Sequence, residues 1–378
     1  MIVSLTHLDT PAALIDVPRM QRNIQRMQQR MDNLGVRLRP HIKTSKCLPT
    51  VRAQIDAGAQ GVTVSTLKEA EHCFAAGIRD IFYAVAMAPG KLPQALALLR
   101  EGCQLSILTD SLAGAQAIVD FGQQHDANFD VWVEIDCDGH RSGLKEDDKA
   151  LVQIARLLTR GGSSLCGVMT HAGSSYELDN QPALQALAEQ ERRVCVSAAQ
   201  RIREAGLVCP QVSIGSTPTA LSAQNLDGVT EVRAGVYVFF DLVMHNVGVC
   251  RRDELALSVL TTIIGHQPDK GWIITDAGWM AMSRDRGTQR QHRDYGYGQV
   301  CTEHGDWLED LRFGAANQEH GIITLQNPAS LDIVVRFPVG SRLRILPNHA
   351  CATGAQFPHY HACEATGEVH IWSRLHGW

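Results

Sequence analysis

Apolar residues recur at every second position in short runs and at every third or fourth in longer ones, and the two periods alternate along most of the chain. The run at 11–15 predicts a strand. After it, Asp16 can cap a helix with Pro18 in its first turn and Met20, Ile24, Met27 and Met31 on one face, closed by Gly35. Val36-Arg37-Leu38-Arg39 alternates apolar and basic side chains as a half-buried strand does, and Pro40 removes a ladder donor and ends it. A strand over 61–65 then precedes a helix opened by Thr66, with Glu69 completing a capping box, and closed by Gly77. Further strands are predicted over 81–85, 105–108, 131–135, 166–170, 211–214 and 231–234. Helices are predicted near 92–99, from Ser111, near 147–159 and over 182–205.

Eight strands mostly separated by helices, between residues 36 and 235, are the count that closes a (β/α)8 TIM barrel. A doubly wound open sheet is the alternative, disfavoured because no Gly-rich fingerprint follows the first strand. From about residue 255 the texture changes to strand-like runs at 255–264, 272–275, 322–325, 333–337, 342–346 and 369–372. They predict a C-terminal β domain that the strand at 11–15 can join. The expected division is a barrel over 16–250 and a β domain over 251–378 with residues 1–15.

The length of 378 residues suits one large and one smaller domain, and 44% hydrophobic with 20% charged residues is ordinary for a globular enzyme. A net charge of -5 offers no basic face for nucleic acid. No apolar run reaches the ~18 residues of a membrane span, and the first residues lack a basic region followed by an apolar core, so no membrane association and a cytoplasmic location are expected. Eleven cysteines scattered without CxxC pairs suit a reducing compartment.

Active-site residues of such barrels lie at the carboxyl ends of strands. Lys43, in Pro40-His41-Ile42-Lys43-Thr44-Ser45-Lys46, is there a candidate for a covalent bond to a cofactor, although two solvated loop lysines are the bland alternative. The fifth strand runs into Asp138-Gly139-His140-Arg141-Ser142-Gly143 and the sixth into Thr170-His171-Ala172-Gly173-Ser174-Ser175-Tyr176. The seventh ends in Gly215-Ser216-Thr217-Pro218-Thr219 and the eighth in Arg233-Ala234-Gly235-Val236-Tyr237. Glycines with hydroxyl side chains after strands seven and eight are where a barrel phosphate site is expected. If the strand from Arg342 persists, His349 and Cys351 share a face and can bind Zn²⁺ as imidazole and thiolate, leaving positions open for substrate. Cys351, His359, His361 and Cys363 form a competing, structural zinc set, and His370 and His376 are read as surface residues.

These motifs, with Pro347-Asn348-His349-Ala350-Cys351 in the same order, resemble the family of D-serine dehydratases and D-threonine aldolases, alanine racemase-like fold-type III enzymes that use pyridoxal phosphate. The resemblance implies that Lys43 carries the cofactor and that Arg141 faces the pyridine nitrogen, where a guanidinium opposes protonation. It further implies that His171 and Tyr176 line the ring, that Ser216, Thr217, Gly235 and Tyr237 lie at the phosphate, and that His349 and Cys351 hold a divalent metal (Zn, or Mn, Co or Mg).

The activity implied is a lyase reaction on a D-3-hydroxy amino acid, D-threo-3-hydroxyaspartate giving oxaloacetate and ammonia or D-serine giving pyruvate and ammonia. Lys43 would remove the Cα proton while the metal assists departure of hydroxide. The alternative is D-threonine aldolase chemistry, giving glycine and an aldehyde. A pyridoxal-phosphate homeostasis protein without turnover shares the barrel and lysine, but the β domain and the HxC pair count against it. Family precedent also implies a homodimer with the active site near the interface. Asp276, Arg284 and Asn317-Gln318-Glu319-His320 resemble family positions near the site, without roles assignable from spacing.

Overall fold

The computed structural model describes residues 5–326 and 333–378. The chain forms two compact units: Gln25–Gly235 with Leu375–Trp378, and the described residues up to Ile24 with Val236–Arg374. No helix among the described residues is long and apolar enough to cross a membrane. Strand β1 (Ala12–Asp16) opens the chain. Asp16 then accepts the Arg19 N–H at 3.0 Å and starts the expected helix, Val17–Asn33, which ends before Gly35 at φ +70°.

The first unit is built on eight strands: β2 (Arg37–Leu38), β3 (Val62–Val64), β4 (Asp80–Ala86), β5 (Gln104–Thr109), β6 (Asp130–Ile135), β7 (Ser164–Thr170), β8 (Gln211–Ile214) and β9 (Glu231–Val232). They form one parallel sheet in the order β2-β9-β8-β7-β6-β5-β4-β3. The sheet curls until its edges meet. Past β2 the chain reaches His41, which bridges Thr63 of β3, with Ile42 N–H donating to the Thr63 carbonyl at 3.0 Å and Thr63 N–H to the Pro40 carbonyl at 2.9 Å. The expected (β/α)8 architecture is what forms. β2 and β9 are shorter than predicted: Pro40 has no N–H to donate, and beyond it His41 N–H donates to the Ala234 carbonyl at 2.9 Å. Between strands lie Leu48–Asp56, which the apolar pattern did not reveal, and Leu67–Ala75, Leu92–Arg100, Leu112–His125, Lys149–Arg160, Gln181–Glu204 and Thr217–Ser222. Thr66 caps its helix as expected, accepting the Glu69 N–H at 3.0 Å while Glu69 accepts the Ser65 N–H at 2.9 Å.

Phe82, Leu108, Trp132 and Met169 pack as an apolar cluster. A buried ionic cluster joins β2, β4, β8 and β9. Arg39 donates to Glu231 at 2.9 Å and to Asp80 at 2.6 and 2.9 Å, and Ser213 donates to Glu231 at 2.7 Å. Glu231 is fully buried, so Glu231→Ala leaves Arg39 short of a counterion inside the barrel. Urea denaturation of this variant is expected to show a loss of about 3–5 kcal/mol.

The second unit carries a nine-stranded sheet of β1 with β10 (Leu257–Gln267), β11 (Trp272–Thr275), β12 (Gln299–Thr302), β13 (Leu311–Ala316), β14 (Gly321–Leu325), β15 (Arg342–Leu346), β16 (His359–Cys363) and β17 (Val369–Ser373). Its path is β13-β14-β11-β10-β1-β16-β17, with β15 pairing both β10 and β12. The expected entry of 11–15 into this sheet is seen in β1, antiparallel to β10 and parallel to β16. One expected strand is corrected: 333–337 contains a helical turn, Ile333–Arg336, closed by a bond from Phe337 N–H to the Ile333 carbonyl at 3.0 Å. Its valines mimic a strand, but Val334 and Val335 are exposed and Pro338 follows. β12, β13 and β16 were not foreseen; polar residues and a glycine interrupt their alternation.

Candidate active site

At the carboxyl end of β2 the chain makes a single tight turn, Lys46 N–H donating to the Ile42 carbonyl at 2.8 Å, with Lys46 in the left-handed region at φ 44°. The Thr63 hydrogen bonds grip Pro40 and Ile42, so the turn is anchored on the residue just before Lys43. The two lysines separate here. Lys46 Nζ lies 2.9 Å from the buried carboxylate of Glu69. The half-buried Lys43 lies among imidazoles and guanidinia instead. Burial first, then the Lys43 cation, push both His41 and His171 well below the usual imidazole range, with Arg141 and Arg233 adding to it. Lys43, Arg141 and His171 therefore converge at the strand ends, joined by His41 and Arg233.

His171 is oriented by its Nδ1, 3.1 Å from the Gly215 carbonyl; a carbonyl only accepts, so Nδ1 carries the proton. The Tyr176 ring lies 6.2 Å away, centroid to centroid. The loop after β6 is tied to the loop after β7 by Asp138, which accepts the Ser174 N–H at 2.9 Å and its hydroxyl at 2.7 Å. Arg141 is exposed, with Glu134 3.6 Å away, whereas Arg233 is buried and donates to the Thr170 carbonyl at 2.5 Å and to Ser213 at 2.7 Å. Burial raises the Glu134 carboxyl.

Ser216 caps the helix Thr217–Ser222 and lies 2.8 Å from the Ser175 hydroxyl. Both Ser216 and Thr217 are buried. A side chain at Gly235 would meet the His41 carbonyl at 2.9 Å, so glycine lets the end of β9 close on the lysine turn. Tyr237 is buried and falls in the other compact unit. An anionic, planar cofactor fits what the barrel end presents: three cations, two neutral imidazoles, and buried hydroxyls at a glycine-rich turn.

In the second unit the expected strand through His349 is corrected. β15 stops at Leu346, before Pro347, and His349 caps a short helix, Ala350–Gly354. The imidazole and the Cys351 thiol still meet, through a hydrogen bond between them, because a cap and the second helical residue lie on the same end of a turn. Asp285 Oδ2 is 2.6 Å from His349 Nδ1, which leaves Nε2 for a ligand. Buried Asp241 braces the motif by accepting the N–H of Ala350 and that of Met244, each at 2.9 Å. Burial alone would lower the His349 pKa, but Cys351, Asp285 and Asp241 together hold it well above the usual range. Surroundings that favour a proton on imidazole also favour a dication, so this donor set fits a metal.

Among the described residues no three or more His, Cys, Asp or Glu side chains gather as a metal cluster, so the alternative set with His359, His361 and Cys363 does not assemble. Asp276 accepts from Thr10, Thr261 and the Thr262 N–H, Arg284 stacks on Trp279 at 4.3 Å, and the Asn317 and Gln318 carbonyls accept the N–H groups of Trp279 and Met280.

Residues 15–243 match the family model for the alanine racemase N-terminal domain, and residues 256–363 that for the serine dehydratase domain. The chain is 65% identical to D-threo-3-hydroxyaspartate dehydratase of Delftia sp. strain HT23, with 99% of each chain covered. The chain belongs to the D-serine dehydratase and D-threonine aldolase family. Within this family it is also 30% identical to D-serine dehydratase of Dictyostelium discoideum, over 97% of this chain and 96% of that one. A solved structure of a D-threo-3-hydroxyaspartate dehydratase cysteine-to-alanine mutant in the metal-free form matches at a TM-score of 0.98 and 64% identity, covering 100% of both chains.

Four residues escaped the sequence reading of this family member: His41, Arg233, Asp285 and Glu191. His41 and Arg233 stood inside the quoted motifs. Asp285 is 64 residues from His349 and carries no local signal. Glu191 had one: it shares the buried stripe of its helix with Leu184, Ala188, Cys195, Ala198 and Ile202. Asp285→Asn is expected to weaken metal binding about 10- to 100-fold by loosening the imidazole. Competition with a chromophoric chelator measures this, and wild-type affinity would leave Asp285 only a folding role.

Proposed function

We propose that the chain is a pyridoxal-phosphate- and divalent-metal-dependent dehydratase of D-3-hydroxy amino acids, with D-threo-3-hydroxyaspartate as preferred substrate and D-serine as a second. The observation that carries this is the pairing, in one chain, of a cation-rich barrel end around Lys43 with a carboxylate-braced His349–Cys351 donor pair. Identity of 65% to D-threo-3-hydroxyaspartate dehydratase over the whole chain supports the substrate choice. When bound, the cofactor supplies an electron sink for charge developing at Cα and the metal a Lewis acid for the β-hydroxyl.

The chain's own residues do the rest. Lys43 Nζ tethers the cofactor and then takes the Cα proton. His171 and Tyr176 line the ring, Arg141 faces the pyridine nitrogen, and Ser216, Thr217, Gly235 and Tyr237 hold the phosphate. His349 and Cys351 hold the cation, with Asp285 fixing the imidazole. We assign the cofactor to a domain over 16–250 and the metal ligands to 251–378, and infer a cytoplasmic homodimer.

Incubation with D-threo-3-hydroxyaspartate, D-serine and D-threonine tests the proposal. Oxaloacetate or pyruvate with stoichiometric ammonia supports it, while glycine and an aldehyde without any keto acid would replace it by aldolase chemistry.

A further inference from the structure

Glu191 is a buried carboxylate to which the chemistry above gives no task. It projects from the middle of the helix Gln181–Glu204 and is 1% exposed. Its Oε1 accepts the Ala172 N–H at 3.0 Å and the Gly215 N–H at 3.1 Å, and the Thr219 hydroxyl is shared between the carboxylate and the Ser216 carbonyl, 3.3 Å away. Each contact borders a residue of the cofactor site. Ala172 follows His171, and the Gly215 carbonyl receives the His171 Nδ1 proton. Thr219 Oγ1 accepts the Ser216 N–H at 3.0 Å and lies 2.9 Å from the Ser216 hydroxyl.

We propose that Glu191 is a positioning residue that holds His171 and Ser216 in register, so that the ring-lining imidazole and the phosphate-facing hydroxyl meet one cofactor at a fixed separation. This rests on the function proposed above. The loops after β7 and β8 have left their ladders, and their buried N–H groups need acceptors. One oxygen from the helix behind them satisfies both and thereby couples the loops. Arg233, the buried cation nearby, is committed to the Thr170 carbonyl and Ser213, so Glu191 is held by neutral donors and burial pushes its carboxyl up to about 7.

Above its pKa of about 7 the carboxylate accepts all three hydrogens, whereas an amide accepts two and presents N–H to the third, so the variants are compared at a pH above that value. Glu191→Gln therefore keeps the arm through Ala172 and Gly215 but turns the Thr219 hydroxyl towards Ser216. Glu191→Ala breaks both arms.

The test compares both variants with wild type by the ¹⁵N resonances of histidine-labelled protein, His171 being assigned with Asn in its place. Dissociation of pyridoxal phosphate and its induced circular dichroism are measured in parallel. In Glu191→Gln the His171 Nδ1 resonance is expected to stay in place while cofactor binding weakens about tenfold, the scale of one buried hydrogen bond. In Glu191→Ala both are expected to change. Wild-type affinity and dichroism in Glu191→Gln would overturn the proposal, and this arm stands even if Glu191→Ala does not fold. An unmoved His171 resonance in folded Glu191→Ala would overturn it as well. If wild type binds no pyridoxal phosphate through Lys43, the proposed function fails, whereas the His171 resonance still reports on Glu191.

Discussion

Lys43→Ala is expected to lose the visible absorbance of the lysine-linked cofactor and to lower turnover by at least about 10⁴-fold, since general-base catalysis alone is worth about 10² to 10⁴ and the tether is lost with it. The control is Lys46→Ala. Lys46 pairs with Glu69 at 2.9 Å, and Glu69 is buried while its other oxygen holds the Ser65 N–H. Removing Lys46 strands that carboxylate and should cost about 3–5 kcal/mol of stability while leaving the cofactor band in place. Absorbance and urea denaturation on both variants separate the roles. A band that survives Lys43→Ala and disappears in Lys46→Ala would exchange the two lysines.

How far these residues could be read without coordinates depended on how local their determinants are. The barrel was legible because each strand and helix carries its own period, and because caps such as Thr66 with Glu69 lie within four residues of one another. The family was legible for a different reason: motifs at several strand ends recur in one order. Where several local signals agreed but no partner could be seen, as for the valines near 334, a turn of helix passed for a strand. His349 and Cys351 were found through a strand that ends at Leu346, and the pair survives because a helix cap also brings them together. Asp285 and Glu191 act through tertiary contacts. Glu191 was nonetheless announced by a charge on an apolar helical stripe, whereas Asp285 was announced by nothing.

His349→Ala should leave the cofactor on Lys43 with its absorbance intact and yet lower keto acid formation by about 10³-fold. Hydroxide is a poor leaving group, and a Lewis acid at the departing oxygen is worth several kcal/mol, each ~1.4 kcal/mol being tenfold in rate. Cys351→Ala should do the same, because its thiolate is both a donor and part of the negative surroundings of the imidazole. A chelator should reproduce the defect in wild type, and added Zn²⁺, Mn²⁺ or Co²⁺ should reverse it there but not in His349→Ala. The pH dependence has a definite sign. His349 holds its proton well above the usual range, so metal uptake must release that proton, and affinity falls as pH is lowered. Keto acid formation at the wild-type rate by chelated enzyme or by His349→Ala would sink the metal's role.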